Sequence, residues 1–177
     1  FSPDSRARRI QTRILELPKG NTTPEHMGAI HAERVSLPAR ILTTALLEID
    51  PPDADCTRAL DLLRQWDHSI DRDQVQPTIY ARTRQELGHH IARHLFGADA
   101  TALLAQAGGD NHWRLIHIEI DIALQSGETS LLAPGETWSD TLAQALCTAL
   151  TALKVDLGSD MAQWQWGRLH QTRPQHP

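Results

Sequence analysis

Apolar residues recur along most of this chain at intervals of three and four, the spacing that places them on one face of a helix. Ala7, Ile10, Ile14 and Leu17 form the first stripe, behind Ser2-Pro3-Asp4, an N-cap followed by a proline and an acid suited to a first turn. Pro18-Lys19-Gly20-Asn21 breaks that helix, and Thr23-Pro24-Glu25 opens a short second one by the same logic. Ser36-Leu37-Pro38 restarts the chain into Leu37, Ile41, Leu42, Ala45, Leu46 and Ile49, a face broad enough to be buried on several sides, and Pro51-Pro52 ends it. From Asp53, the positions Cys56, Ala59, Leu60, Leu63 and Trp66 mark a further helix. After the turn-like Asp67-His68-Ser69, a long segment carries Val75, Ile79, Leu87, Ile91 and Leu95, with Pro77 near its start, where proline is tolerated.

The pattern breaks around Ala107-Gly108-Gly109-Asp110. Beyond it Ile116, Ile118, Ile120 and Ile122 alternate with His117, Glu119 and Asp121, so residues 115–123 fit a strand almost as well as the helix favoured here. Gly127 to Thr137 reads as a loop, and Leu142, Leu146, Ala149, Leu150 and Leu153 define a last long helix before Gly158-Ser159-Asp160. The expected fold is mainly α, an irregular domain of about six to eight helices. It is read as a single helical region over residues 1–177, with sub-lobes 1–107 and 108–177 if it divides. No repeat stands out at periods of ~20 to ~50 residues.

Composition narrows the class without changing the fold. With 40% hydrophobic and 22% charged residues and a net charge of −5, the chain has the balance of a mildly acidic globular protein. Fifteen of the 17 basic residues are arginine, which forms planar bidentate contacts and so favours ion-paired or packed side chains over a diffuse basic surface. No apolar run approaches the roughly 18 residues of a membrane span. No segment reads as a signal peptide. Phe1 at one end and His176-Pro177 at the other look like the ends of a processed piece. Cys56 and Cys147 both fall on apolar helical faces, as buried free thiols do; whether they pair, and so the redox compartment, stays open.

Several constellations resemble chemistry and then fall short of it. Glu86-Leu87-Gly88-His89 has the Glu-x-x-His spacing of carboxylate-bridged di-iron bundles, but that site needs a second copy, which the sequence lacks. His90 and His94 could grip one metal from adjacent turns, yet zinc takes three or four ligands. Solvated positions, favoured near a helix C-terminus, explain them better. Asp67, Ser69, Asp71 and Asp73 mimic a calcium loop, but Arg72 stands where the glycine belongs and Thr78 where the glutamate does; capping of the long helix accounts for them. Arg6, Arg8, Arg9 and Arg13 are the densest basic cluster, and the acidic balance of the whole speaks against nucleic acid. Arg9, bordering Ile10 of the apolar stripe, is the one of these with a case for a buried or site-facing position. No Gly-x-Ser-x-Gly occurs, and Phe1 cannot act as an N-terminal nucleophile, because that chemistry needs a side chain able to attack, with its own α-amino group as base.

Four stretches together resemble the penicillin acylase (penicillin amidase) family of N-terminal-nucleophile hydrolases: Arg6-Ala7-Arg8-Arg9-Ile10, Ser36-Leu37-Pro38-Ala39-Arg40, Leu62-Leu63-Arg64-Gln65-Trp66-Asp67 and Trp164-Gln165-Trp166-Gly167-Arg168-Leu169-His170. Their order is similar to that in the helical part of the family's β subunit, and the tryptophan-rich last stretch is the most specific. The resemblance implies a parent enzyme that hydrolyses a linear amide, such as a β-lactam side chain, an acyl-homoserine lactone or a related amide. It implies a serine nucleophile exposed by autocatalytic cleavage and an oxyanion-hole asparagine, both upstream of Phe1, so this stretch alone would be inactive.

By the same resemblance Arg9, preceding Ile10, matches an arginine that orients the catalytic polar network, Arg8 being the alternative register, and His170 is a candidate for the substrate cleft. Two tryptophans and Gly167 read first as packing, with the glycine allowing a close backbone approach or a left-handed turn. The chain departs from the family at His31 and Glu33 in the second helix, where many members carry a glutamine and an aspartate, and at His68, where a glycine usually follows Trp-Asp. No cofactor is implied, and no ligands match the structural calcium of some members, so no metal is expected. The implied partners are the α subunit and the rest of the β subunit; no nucleic acid or membrane partner is expected. A periplasmic or extracellular setting follows from the resemblance alone. A free-standing helical interaction module without activity is the rival reading. If the chain packs inside a larger subunit, it should leave apolar patches exposed.

Overall fold

The computed structural model describes residues 5–106 and 110–171. The Ser2-Pro3-Asp4 cap, Phe1 and the Ala107-Gly108-Gly109 break lie outside the described residues. Among the described residues there are nine α-helices and no sheet: α1 (Ser5–Leu15), α2 (Pro24–His31), α3 (Leu37–Leu46), α4 (Ala54–Arg64), α5 (Gln76–Phe96), α6 (Ala100–Gln106), α7 (Asp110–Ser126), α8 (Trp138–Leu157) and the short α9 (Trp166–Leu169). A 3₁₀ turn over Met161–Gln163 precedes α9. The fold is mainly α, as expected, with the helix count raised by the short α6 and α9.

Helix starts follow local chemistry. Thr23 caps α2 by accepting the His26 amide, while the His26 ring accepts the Thr23 amide in return. Ser36 accepts from the Ala39 amide at 3.2 Å, Asp53 from the Cys56 amide at 2.7 Å and Thr137 from the Asp140 amide at 3.2 Å. Helix α5 is different. It starts at Gln76 after Val75 with no side-chain cap and no acid in its first turn, so Asp67, Asp71 and Asp73 do not cap it. Asp67 instead accepts the Ser69 amide at 2.9 Å, and Asp71 takes the Arg34 guanidinium at 2.8 Å. That contact, and a hydrogen bond from Ser69, hold the Asp71 carboxyl below its usual range.

The core lies between α5 and α8, whose contact is the most extensive among the described helices and crosses the 107–108 division. Ile79, Leu87 and Ile91 of α5 meet Leu142, Leu146, Leu150 and Leu153 of α8, with Leu42 and Leu46 of α3 and Leu60 and Leu63 of α4 closing around them. The stripe on α5 stops at Ile91, since Leu95 is exposed. Residues 115–123 are helical throughout. The four alternating isoleucines would share one face of a strand; here Ile116 and Ile120, one turn apart, are buried and Ile122 is exposed.

Three of the four family-like stretches meet at the loop joining α4 to α5. Val35 and Ser69 form an isolated antiparallel bridge, with the Ser36 amide donating to His68 O at 3.0 Å and the Ile70 amide to Arg34 O at 3.1 Å. Trp66 is buried there, donating to Ser69 O at 2.9 Å and lying against His68 and Tyr80. The Trp166 amide donates to Gln74 O at 2.8 Å and the Gly167 amide to Arg72 O at 2.7 Å. A Cβ on Gly167 would come within 3.2 Å of Arg72 O and Cβ, so glycine is there for a close approach and not for a left-handed turn. His68, by contrast, has φ +65°, the left-handed region that glycine enters freely, which gives a physical reason for glycine at this point.

Candidate functional site

A cleft opens between α1 and the segment that leads from α2 into α3, and it continues onto α7. Its first part, about 260 Å³, is lined by Arg6, Arg9 and Ile10 of α1 and by Glu33, Val35 and Pro38. A second part, about 450 Å³, lies between Arg8 of α1, Arg40 and Ile41 of α3, and Ile118 and Gln125 of α7. The third, about 330 Å³, runs from Pro38 past Tyr80 and Arg84 to Trp113, His117 and Asp121. Neighbouring parts share residues, Leu37 for the first two and Ile118 and Asp121 for the last two.

At one end stands Arg9. Its guanidinium donates to Glu33 Oε2 at 3.0 Å, and the Glu33 side chain is 13% exposed. Arg13 Nε lies 3.1 Å from the same oxygen, while Oε1 accepts the Val35 amide at 3.2 Å. Burial by itself would raise the Glu33 carboxyl; the Val35 amide and the two guanidinium groups outweigh it and hold the carboxyl below its usual range. Arg9 Nε is buried without a hydrogen-bond partner, so the pair leaves donor capacity on Arg9 unspent. The two residues stand 24 apart in the chain, too far for a local pattern to mark the partnership.

At the other end lies a group that sequence patterning did not identify. Arg84 of α5 donates to both oxygens of Asp121 on α7 at 2.7 Å and to His117 O at 3.2 Å, with its guanidinium 6.0 Å from the Tyr80 ring centre. Burial opposes a charge on Arg84, but Asp121 more than compensates and holds it protonated above its ordinary value. His117 is pushed down to about 4 by burial first and by Arg84 second, so it is neutral. Its Nε2 has no hydrogen-bond partner and faces Gly88 of α5, where an added Cβ would sit 2.7 Å away. Strand periodicity would also set His117 and Asp121 on a common face; the helix does so because they stand four residues apart.

The remaining singled-out residues are engaged elsewhere. His170, exposed, stacks on Trp166 with ring centres 4.9 Å apart and lines none of the three cleft parts, so Arg9 and His170 are not brought together. Glu86 pairs with Arg82 at 3.1 Å, His89 packs edge-on to Trp113, and His90 Nε2 lies 3.2 Å from Glu136 Oε2.

The fold and cleft define an all-α region with paired, partly buried arginines along one face. A family model described as penicillin amidase matches residues 1–177, and the chain belongs to that family. No curated protein matches it closely enough to count as a relative. No helix among the described residues is long and apolar enough to cross a membrane.

Proposed function

We propose that this chain is the helical region of an amidase that hydrolyses linear amide bonds, and that Arg9 is its contribution to the polar network of the active site. The nucleophile in this reading is an N-terminal serine outside residues 1–177, activated by its own α-amino group and completed by an oxyanion hole. The substrate is a β-lactam side chain, an acyl-homoserine lactone or a related amide, and the partners are the remaining parts of the amidase. The observation that carries the reading is the Arg9–Glu33 pair at the head of the cleft, in a chain matched by the family model over its whole length. Glu33 fixes one edge of the guanidinium, and the Arg9 side chain keeps 24% of its exposure at the cleft. The exposed Ile14 and Leu15 on α1, which buries no residue of its own, support a further protein surface packing there. His170 is a second, peripheral candidate for substrate contact.

Hydrolysis of a chromogenic acyl anilide by the intact, processed enzyme tests the proposal. A hydrogen bond to a charged group contributes about 1.5–3 kcal/mol, so Arg9→Ala should lower kcat/KM by about 10- to 150-fold. Arg9→Lys should recover only part of this, and Glu33→Gln should lower kcat with little change in KM. Activity of Arg9→Ala within about twofold of the parent, in a protein that folds and matures, would refute the role.

A further inference from the structure

Away from the cleft, α4 and α8 meet at two sulfurs. Cys56, fully buried, lies in the first turn of α4, and Cys147, partly exposed, lies midway along α8. Their Sγ atoms are 2.9 Å apart. That is inside van der Waals contact for two sulfurs and less than about 1 Å longer than a disulfide bond. One ion pair ties the two helices together beside the sulfurs, and a cap fixes the first turn of α4 that carries Cys56. Asp53 Oδ1 accepts the Cys56 amide at 2.7 Å, and Lys154, about two turns beyond Cys147 on α8, pairs with Asp55 of α4.

We propose that Cys56 and Cys147 form a disulfide that cross-links α4 to α8 when the protein meets a small-molecule or protein disulfide as oxidant. Cys147, the accessible partner, attacks the oxidant as its thiolate, forming a mixed disulfide and releasing one thiolate. Cys56 then loses its proton and attacks Cys147 Sγ, expelling the second thiolate. The two cysteines lose two electrons and two protons in total, and the oxidant leaves as two thiols. Burial, with Cys147 and Asp53 adding to it, holds the Cys56 thiol protonated above the usual range, which makes Cys147 the sulfur that begins the exchange.

A metal is the other occupant these residues could accept, because the Asp53 carboxylate lies with the two sulfurs in a cluster whose ligand atoms are within 4.8 Å of one another. The distances favour the bond. Thiolates each at ~2.3 Å from a tetrahedral zinc stand on the order of 3.7 Å apart, farther than these sulfurs, and one Asp53 oxygen is already committed to capping α4.

The test treats the intact protein with oxidised glutathione, unfolds it without reductant in the presence of iodoacetamide, and maps the peptides by mass. The expected product is a linked pair of peptides holding Cys56 and Cys147, lighter by two hydrogens than the reduced pair and separated by dithiothreitol. Closing a loop of 91 residues also restricts the unfolded chain, so the oxidised protein should melt at a higher temperature than the reduced one. Full alkylation of both cysteines would overturn the proposal. So would a stable glutathione adduct on Cys147 beside an alkylated Cys56, or one equivalent of zinc held by the two thiols and released by a chelator. The result needs no variant; in Cys147→Ser, if it folds, the cross-linked peptide should be absent.

Discussion

Removing Asp121 should cost this fold more than any single hydrogen bond explains, because it strands a cation. Arg84 gives Asp121 two bonds of 2.7 Å and His117 O one of 3.2 Å. Breaking a buried pair from one side costs about 3–5 kcal/mol, since the remaining charge loses its counter-ion in a poorly hydrated place. The two side chains keep 14% and 13% of their exposure at the edge of the cleft, so some water can reach the stranded guanidinium, and the lower end of that range applies. Asp121→Ala is therefore expected to lose about 3 kcal/mol in urea unfolding followed by tryptophan fluorescence. Replacing both partners by apolar residues, Arg84→Met with Asp121→Leu, should return most of that loss, because no charge is left buried. A coupling below about 0.5 kcal/mol in the double-mutant cycle would refute the argument, because the two residues would then be acting independently.

Two further perturbations probe the same α5–α7 contact. Gly88→Ala ordinarily gains about 1 kcal/mol in a helix interior, but here its Cβ would meet His117 Nε2 at 2.7 Å. The expected outcome is a net loss of about 1 kcal/mol, reversed when His117→Ala is added; a simple gain in thermal stability would show that the ring moves aside freely. The pH dependence follows from His117. With its folded pKa lowered to about 4 against an unfolded value of 6.5, the unfolded chain binds the proton first. Stability is thus complete above the unfolded value and falls as pH drops from about 6.5 towards 4, by up to about 3 kcal/mol from this residue. His68, also lowered, chiefly by burial, adds a loss in the same direction, so the test is the difference between the parent and His117→Gln across that window. Parallel curves for the two proteins would exclude His117 as the cause.

Much of the fold was legible because helix formation here is signalled locally. Thr23, Ser36 and Asp53 cap the helices that follow them, and Pro24 and Pro38 sit in first turns, as their side-chain chemistry requires. Each of these contacts spans about three residues, so spacing in the chain is spacing in space. The long helix α5 broke the rule: the acids ahead of it serve the turn and Arg34 instead, a choice that depends on α2 and α3 having docked nearby. The candidate site was legible only in part. Arg9 was reached through a motif, but Glu33 and the Arg84–Asp121–His117 group carry no pattern of their own along the chain.

By itself, the sequence determined a mainly α chain, the positions of most of its longer helices and membership of the penicillin amidase family, because apolar periodicity, caps and short motifs are properties of neighbouring residues; it did not mark the short α6 and α9. Only the tertiary structure decided which partner each charged or nucleophilic group meets. The alternating segment became a helix whose isoleucines divide between core, cleft and solvent. Arg9 found Glu33 across 24 residues, Arg84 found Asp121 across 37, and Cys56 came to face Cys147 across 91. Such pairs are set by how helices pack on one another, and packing is a sum of many weak contacts that no local spacing encodes.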